Sequence, residues 1–196
     1  MKNKVWITRV AMPFLLALAL TGCGGKSTTN VALGGSVTGL TSGSITLSNG
    51  NNAIVINGDP NAASLPFTIQ AQLPVGVGYN VFVSTPSPLF SCTVANGAGV
   101  AGTSDINNVA VTCVQNHSVG GTITGLVADG LQLANGGDVL IVPAGASGFK
   151  FTNLVATGRT YGVTILKQPT TGTCIVNNGA GYIAAADIAT VQVVCN

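Results

Sequence analysis

One block of sequence occurs twice in this chain of 196 residues. Residues 34–40 (GGSVTGL) return as residues 120–126 (GGTITGL), and residues 47–50 (LSNG) return as residues 133–136 (LANG), both at an offset of 86. Later correspondences have smaller offsets, of 84 for the Phe-Thr pair at 67–68 and 151–152 and of 82 for Tyr79 with Tyr161, Cys92 with Cys174, Asp105 with Asp187 and Cys113 with Cys195. A shrinking offset indicates small deletions in loops. Two copies of one domain, residues 31–114 and 115–196, are therefore predicted.

Within each copy, apolar residues alternate with polar ones, which is the period of a β-strand. Ile45 and Leu47, for example, alternate with Ser44, Thr46 and Ser48. About seven such short segments in roughly 80 residues, separated by turn residues, are typical of a β-sandwich. The one ambiguous stretch is residues 182–189, whose three consecutive alanines could form a helical turn. The sequence predicts an all-β fold with two tandem β-sandwich domains after an N-terminal signal helix.

The first 22 residues have the layout of a signal peptide. Lys2, Lys4 and Arg9 precede an apolar stretch at residues 10–20, which ends in Leu-Thr-Gly-Cys at residues 20–23. The stretch is shorter than the about 20 apolar residues that a membrane-spanning helix needs, so an uncleaved anchor or a buried core helix fits less well.

This segment resembles the signal peptide and lipobox of bacterial lipoproteins. In that family the signal peptidase cuts before the cysteine, the sulfur receives a diacylglycerol, and the freed amine is acylated. The resemblance implies that Cys23 is the lipidated first residue of the mature chain. Residues 23–30 would then be a flexible tether, and the membrane would be the partner that Cys23 binds. Two or more fatty chains give stable attachment where a single chain holds only marginally. Gly24 stands where an Asp would retain the protein in the inner membrane, which favours the outer membrane.

Charge is scarce in the predicted mature chain. Its four basic side chains (Lys26, Lys150, Arg159 and Lys167) against five acidic ones leave a net charge of −1. Residues 27–149 contain no Lys or Arg at all, so nothing there could pair with a phosphate backbone. Nucleic acid is therefore not expected as a partner.

The copies resemble the small immunoglobulin-like or transthyretin-like repeats of bacterial surface lipoproteins. The match is carried by residues 76–79 (GVGY), 158–161 (GRTY), 92–97 (CTVANG) and 174–179 (CIVNNG), and it covers residues 33–195. It implies a β-sandwich but no particular activity, since such folds host unrelated functions. The mature chain has no Trp to pack against a disulfide, unlike antibody domains, which leaves the strand topology open.

Four cysteines remain after Cys23, and they allow three pairings. Cys92 to Cys113 and Cys174 to Cys195 are both separated by 21 positions, at equivalent places in the two copies. Pairing within each copy is therefore predicted, in the oxidising compartment to which a secretory leader directs the chain. A structural zinc site is the alternative, but no Cys-x-x-Cys or nearby His completes a tetrahedral set.

The side chains that could support catalysis are few. His117 is the only histidine and falls between the two copies, where it is expected to be a solvated linker residue. Asp105 and Asp187 recur before the last strand and are expected to cap turns. Asp129 and Asp138 are weak candidates for calcium, because the first copy has Gly43 and Asn52 in their places. No cofactor is expected.

Three functions remain open. A non-enzymatic, membrane-anchored surface or periplasmic lipoprotein that displays two modules for structural or interaction roles is favoured. A glycan-binding or other ligand-binding, adhesin-like module is the alternative, with exposed aromatic side chains as its requirement. An enzyme is disfavoured, because the chain has no Glu and a single His.

Overall fold

The structure is a computed structural model that describes residues 29–196. The signal-peptide segment and Cys23 lie outside the described residues, within which all regular structure is strand and no helix occurs. The strands are β1 (Asn30–Thr38), β2 (Ser44–Asn49), β3 (Asn52–Asn57), β4 (Leu65–Pro74), β5 (Gly78–Thr85), β6 (Phe90–Ala95), β7 (Ala98–Val100), β8 (Ile106–His117), β9 (Val119–Thr124), β10 (Leu131–Asn135), β11 (Asp138–Val142), β12 (Gly148–Lys150), β13 (Val155–Ala156), β14 (Thr160–Lys167), β15 (Cys174–Asn177), β16 (Ala180–Tyr182) and β17 (Ile188–Cys195). The predicted all-β class is confirmed.

The strands form two pairs of sheets with the same order in each half. In the first half, β4-β1-β8-β6 faces β3-β2-β5-β7. In the second half, β12-β9-β17-β15 faces β11-β10-β14-β16. Each half mixes antiparallel hairpins with one parallel pair, β1 beside β8 and β9 beside β17. The first half therefore has eight strands where about seven are expected for such a sandwich.

Alternation places the apolar side chains of both sheets between them. The buried hydrophobic residues form two separate clusters, one within residues 31–113 and one within residues 119–195. Leu33 and Leu47 are fully buried in the first cluster, and Val119 and Leu133 are fully buried in the second. Each cluster fills the space between one pair of sheets, so the halves are described below as the first and second domains.

A glycine allows each parallel pair to form. A Cβ atom on Gly35 of β1 would lie 1.8 Å from the carbonyl oxygen of Val109 on β8. A Cβ atom on Gly121 of β9 would lie at the same distance from the carbonyl oxygen of Val191 on β17. No other residue could occupy these positions without moving the neighbouring strand, because a glycine inside a strand permits close backbone approach.

The disulfides lie within a sheet rather than between sheets. Cys92 is bonded to Cys113, and the two residues face each other across the antiparallel pair β6–β8. Cys174 is bonded to Cys195 in the same way across β15–β17. These are the two pairs that the equal cysteine spacing predicts.

The register corrects one detail of the sequence comparison. Gly35 pairs with Phe67, and Gly121 pairs with Phe149 rather than with Phe151. The offset therefore falls from 86 to 82 in a single step, in the loop between Asp59 and Leu65, and the intermediate offset of 84 is wrong. The helical turn considered for residues 182–189 is also absent, because Tyr182 ends strand β16 and irregular chain follows it.

Candidate functional site at the domain junction

Strand β8 belongs to both domains. Its last residues, Asn116 and His117, pair with Ala156 and Val155 of β13 in the second domain. At the start of the first domain, Asn30 and Val31 pair with Pro74 and Leu73 in the same manner. The second domain therefore begins on the strand that ends the first, with no linker between them.

His117 is buried and does not lie in a solvated linker. Its exposed fraction is 6 %, similar to the 3 % of Val31, whose place in the sheet it takes. The expectation of an exposed histidine is wrong, because β8 continues far enough to turn this side chain into the second core. The repeat itself carried the signal: residue 117 follows residue 31 by 86, the offset of the first strand.

The carboxylate of Asp187 is hydrogen-bonded to the residue that precedes β9. Its Oδ1 accepts a hydrogen bond from the backbone N–H of Ser118 at 2.9 Å and lies 3.5 Å from Nδ1 of His117. The backbone hydrogen bond from Ser118 is the main cause that lowers the pKa of Asp187 below its ordinary value of 3.8, followed by the hydroxyl of Ser118 and, with smaller effects, the charges of Lys150 and His117. Asp187 is therefore held in its ionised form.

Asp105 plays the same part in the first domain. Its Oδ1 accepts a hydrogen bond from the backbone N–H of Ala32 at 2.7 Å. The recurring aspartates thus do not cap their own turns, as expected from sequence, but tie the last strand of each domain to the first. The reason lies in the parallel pairing, which brings the start of β8 beside the start of β1.

A cavity of about 340 Å³ opens beside Asp187 on the second domain. Both charged and apolar side chains line it, with Lys150 and Asp187 beside Phe149 and Ile188 and with the two glycines of β9 between them. A serine, a histidine and an aspartate meet here, as in hydrolytic triads. In a triad the histidine stands between serine and acid. Here the backbone N–H of Ser118 donates to Asp187, and no hydrogen bond between the Ser118 hydroxyl and His117 occurs within residues 29–196, so the three residues lack the order of a triad.

The calcium candidates do not come together. Asp129 precedes β10 and its Oδ1 accepts the backbone N–H of Ala144, whereas Asp138 lies beyond the other end of β10 and its Oδ2 accepts the backbone N–H of Asn153. Strand β10 separates them by about 14 Å or more at the usual rise per residue. The structure therefore does not bring the two calcium candidates together. No group of three His, Cys, Asp or Glu side chains that could hold a metal occurs within residues 29–196.

Within residues 29–196, two aromatic side chains lie on the outer faces of the sheets. Phe82 is 45 % exposed on the outer face of the β3-β2-β5-β7 sheet, and Tyr182 is 68 % exposed on the outer face of β11-β10-β14-β16. By contrast, Phe67, Phe90 and Phe151 are buried. Most of the remaining aromatics are thus on core faces, as alternation predicts.

No helix long and apolar enough to cross a membrane is found between residues 29 and 196. Cys23, the predicted lipidation site, falls before this range. Its modification stays a prediction.

No family model matches the chain, and no curated protein matches it in sequence. Among solved structures, it is similar to the crystal structure of the shaft pilin SpaA from Lactobacillus rhamnosus GG, with 11 % identity and a TM-score of 0.30 over 87 % of this chain and 98 % of the pilin chain. Two mutants of the same pilin match with 11 % and 12 % identity and TM-scores of 0.31 and 0.30, over 86 % of this chain. At such values the likeness carries no information about function.

Proposed function

We propose that the chain is a lipoprotein of the bacterial cell envelope, anchored in the outer membrane through acylated Cys23. Its two β-sandwich domains have a structural or interaction role and no catalytic one. The lipobox-like sequence at residues 20–23 supports the anchor, and Gly24 supports the choice of membrane.

One observation supports the non-enzymatic role above all. All five carboxylates of the chain accept a hydrogen bond from a backbone N–H, donated to Asp59, Asp105, Asp129, Asp138 and Asp187 by Asn61, Ala32, Ala144, Asn153 and Ser118 respectively. General acid–base catalysis needs titratable groups aimed at a substrate. Carboxylates bonded to the backbone instead stabilise loops and strand ends.

The shared strand supports a display role. A sandwich that begins on the last strand of its neighbour has no exposed Gly- or Pro-rich linker about which it could swing. Two domains joined in this way hold the distal loops of the second domain at a defined distance from the first. Such stiffness suits a module that presents a surface away from a membrane.

The anchor is tested by labelling cells that express the chain with radioactive palmitate. We expect label in the wild type and none in Cys23→Ser, because the acylated sulfur is then missing. Gly24→Asp is the matched variant for the membrane: it should keep the label and move the protein to the inner-membrane fraction. Full labelling of Cys23→Ser would contradict the anchor, and an unchanged fractionation of Gly24→Asp would contradict the sorting assignment alone.

Ligand binding is a second candidate, favoured by the exposure of Phe82 and Tyr182. Exposed aromatic side chains on a sheet face offer flat apolar area with, for Tyr, a polar tip. Binding of the mature chain to an array of neutral glycans would be lost in Tyr182→Ala or Phe82→Ala if these faces are used. Val55→Ala, on the same outer face as Phe82, is the control. An array without any bound glycan would exclude this candidate.

A further inference from the structure

The turn between β4 and β5 carries exposed valines at the end of the first domain where the tether enters. Val75 is 38 % exposed and Val77 is 44 % exposed, and Val100, at the end of the neighbouring strand β7, is 69 % exposed. Val100 pairs with Gly78 directly after the turn, so the three side chains belong to one end of the domain. Here they are called the valine tip.

Backbone hydrogen bonds hold the turn that carries Val75 and Val77. The N–H of Val77 donates to the carbonyl oxygen of Pro74 at 3.2 Å, and Gly76 between them has a φ of 86°, which together make a tight turn that needs glycine at this position. The turn is also bonded to the β7–β8 loop, through Gly76 N–H to the carbonyl of Ala101 at 2.8 Å and Ala101 N–H to the carbonyl of Val77 at 2.9 Å. These hydrogen bonds fix the backbone of the turn, on which the side chains of Val75 and Val77 are partly exposed.

The tether ends beside this tip. The N–H of Val75 donates to the carbonyl oxygen of Thr29 at 3.0 Å. Six residue steps separate Thr29 from Cys23, and a fully extended chain of that length spans at most about 20 Å. Whatever holds Cys23 therefore lies within about 20 Å of Thr29, the residue that bonds to Val75.

The charges at this end of the chain have opposite signs. Asp105, whose carboxylate accepts the backbone N–H of Ala32, is negative. Lys26, within the tether, is positive and would be attracted to anionic lipid headgroups.

The equivalent turn of the second domain has the same backbone but different side chains. Its equivalent turn has Thr157 and Arg159 in place of Val75 and Val77, with the same hydrogen bond from Arg159 N–H to the carbonyl of Ala156 at 3.0 Å. Gly158 has a φ of 83°, close to that of Gly76. This turn receives strand β8 from the first domain and not the tether, since Thr157 N–H donates to the carbonyl of Gln115. The two positions within the turn are thus apolar only where the tether arrives, whereas the third position, Val100, corresponds to Tyr182, which is also exposed.

We propose that the valine tip docks into the interfacial region of the lipid bilayer in which Cys23 is anchored, so that the first domain rests on the membrane with its β4–β5 turn. The inference rests on the proposed lipidation of Cys23. A short tether makes the contact intramolecular, with a high effective concentration, so three partly exposed valines suffice although they would not hold an untethered domain.

The experiment uses tryptophan as a depth probe. Trp6, the single Trp of the chain, lies in the predicted leader, so the mature lipoprotein has none of its own. Val77→Trp and, in a separate protein, Val75→Trp are purified with their acyl chains and reconstituted into phosphatidylcholine–phosphatidylglycerol vesicles. Arg159→Trp, at the same turn position of the second domain, is the matched control. Fluorescence is recorded with and without lipids brominated near the headgroup.

We expect the emission of the Val77 and Val75 variants to move to shorter wavelength on reconstitution and to be quenched by the brominated lipids, while Arg159→Trp shows neither change. Equal emission of all three without quenching would overturn the docking and leave the anchor intact. A short-wavelength emission that brominated lipids do not quench would also overturn it, because a protein contact would then cover the tip. Failure of all variants to float with vesicles would contradict the anchor itself, and the docking with it.

Discussion

The two domains share their backbone contacts and differ in the side chains that face their surroundings. Gly35 and Gly121 allow the same close approach of parallel strands, and Asp105 and Asp187 accept the same kind of backbone hydrogen bond. Where the chain enters, however, Val31 of the first domain is replaced by His117 of the second. Steric contact and hydrogen bonding therefore restrict the residue types at positions that set the strand register. The first residues of each domain instead differ with the segment that precedes the domain.

The exposed turns before β5 and β14 also share their backbone and differ in their side chains. Val75 and Val77 precede β5, and Thr157 and Arg159 precede β14, although both turns have the same hydrogen bonds and a glycine with positive φ. The backbone of the turn does not explain the difference in polarity. The turns differ in what they bond to, which is Thr29 before β1 in the first domain and Gln115 of β8 in the second.

The largest effect is expected from adding a methyl group to either strand glycine. Gly35→Ala and Gly121→Ala should each lower the free energy of unfolding of their own domain by about 3 kcal/mol or more, because the Cβ atom collides with a backbone carbonyl that cannot move alone. Gly102→Ala is the control, since no atom lies within 4 Å of its Cβ position, and should change stability by less than about 0.5 kcal/mol. Urea unfolding of the mature chain measures both. Tolerance of Gly121→Ala alone would break the equivalence of the two domains.

Removing the disulfides should affect the domains equally. The double variant Cys92→Ser/Cys113→Ser and the double variant Cys174→Ser/Cys195→Ser each open a loop of the same length, 21 residues in sequence. On the chain-entropy model each loses about 3 kcal/mol. Calorimetry should show one transition lowered and the other nearly unchanged. A loss of both transitions in either variant would show that the shared strand couples the domains more strongly than their separate cores suggest.

His117 tests whether the junction depends on packing or on the contact with Asp187. His117→Ala should lower the free energy of unfolding of the second domain by about 1–3 kcal/mol, because it leaves a space in a buried position. His117→Val should recover most of this loss, since Val31 fills the same place in the first domain. If the Val variant is as unstable as the Ala variant, the contact with Asp187 matters more than the packing. Thermal unfolding monitored by circular dichroism decides between the two.

The smallest effect concerns acid. Hydrogen bonds from Ser118 hold the pKa of Asp187 below its ordinary value of 3.8 in the folded protein. A carboxylate with a lowered folded pKa contributes stability that is present above 3.8 and is lost as the pH falls through the folded pKa. The stability difference between the wild type and Asp187→Asn should therefore be constant above about pH 5 and shrink below it. Urea midpoints at a series of pH values measure this difference, and one that grows in acid would contradict the assignment.

Much of the fold could be predicted from sequence. The alternation in strands such as β2 and β5 is local, so it is visible without a structure. The disulfide pairing could be predicted because the two cysteines of each copy have the same separation and lie at equivalent places. Pairing within each copy then gives both domains the same bond. The weakness of the calcium candidates was visible as well, since the first copy has Gly43 and Asn52 where the second has Asp129 and Asp138.

Only the tertiary structure decided what the junction residues do. Whether residue 117 is a linker or a core position depends on how far β8 extends and on its partner β13, which lies 38 residues further along the chain. The partners of Asp105 and Asp187 are 73 and 69 residues away, on strands that become neighbours through the parallel pairing. Alternation in sequence records which side of a strand a residue takes. It does not record which strand lies beside it, since strand pairing depends on contacts between distant segments.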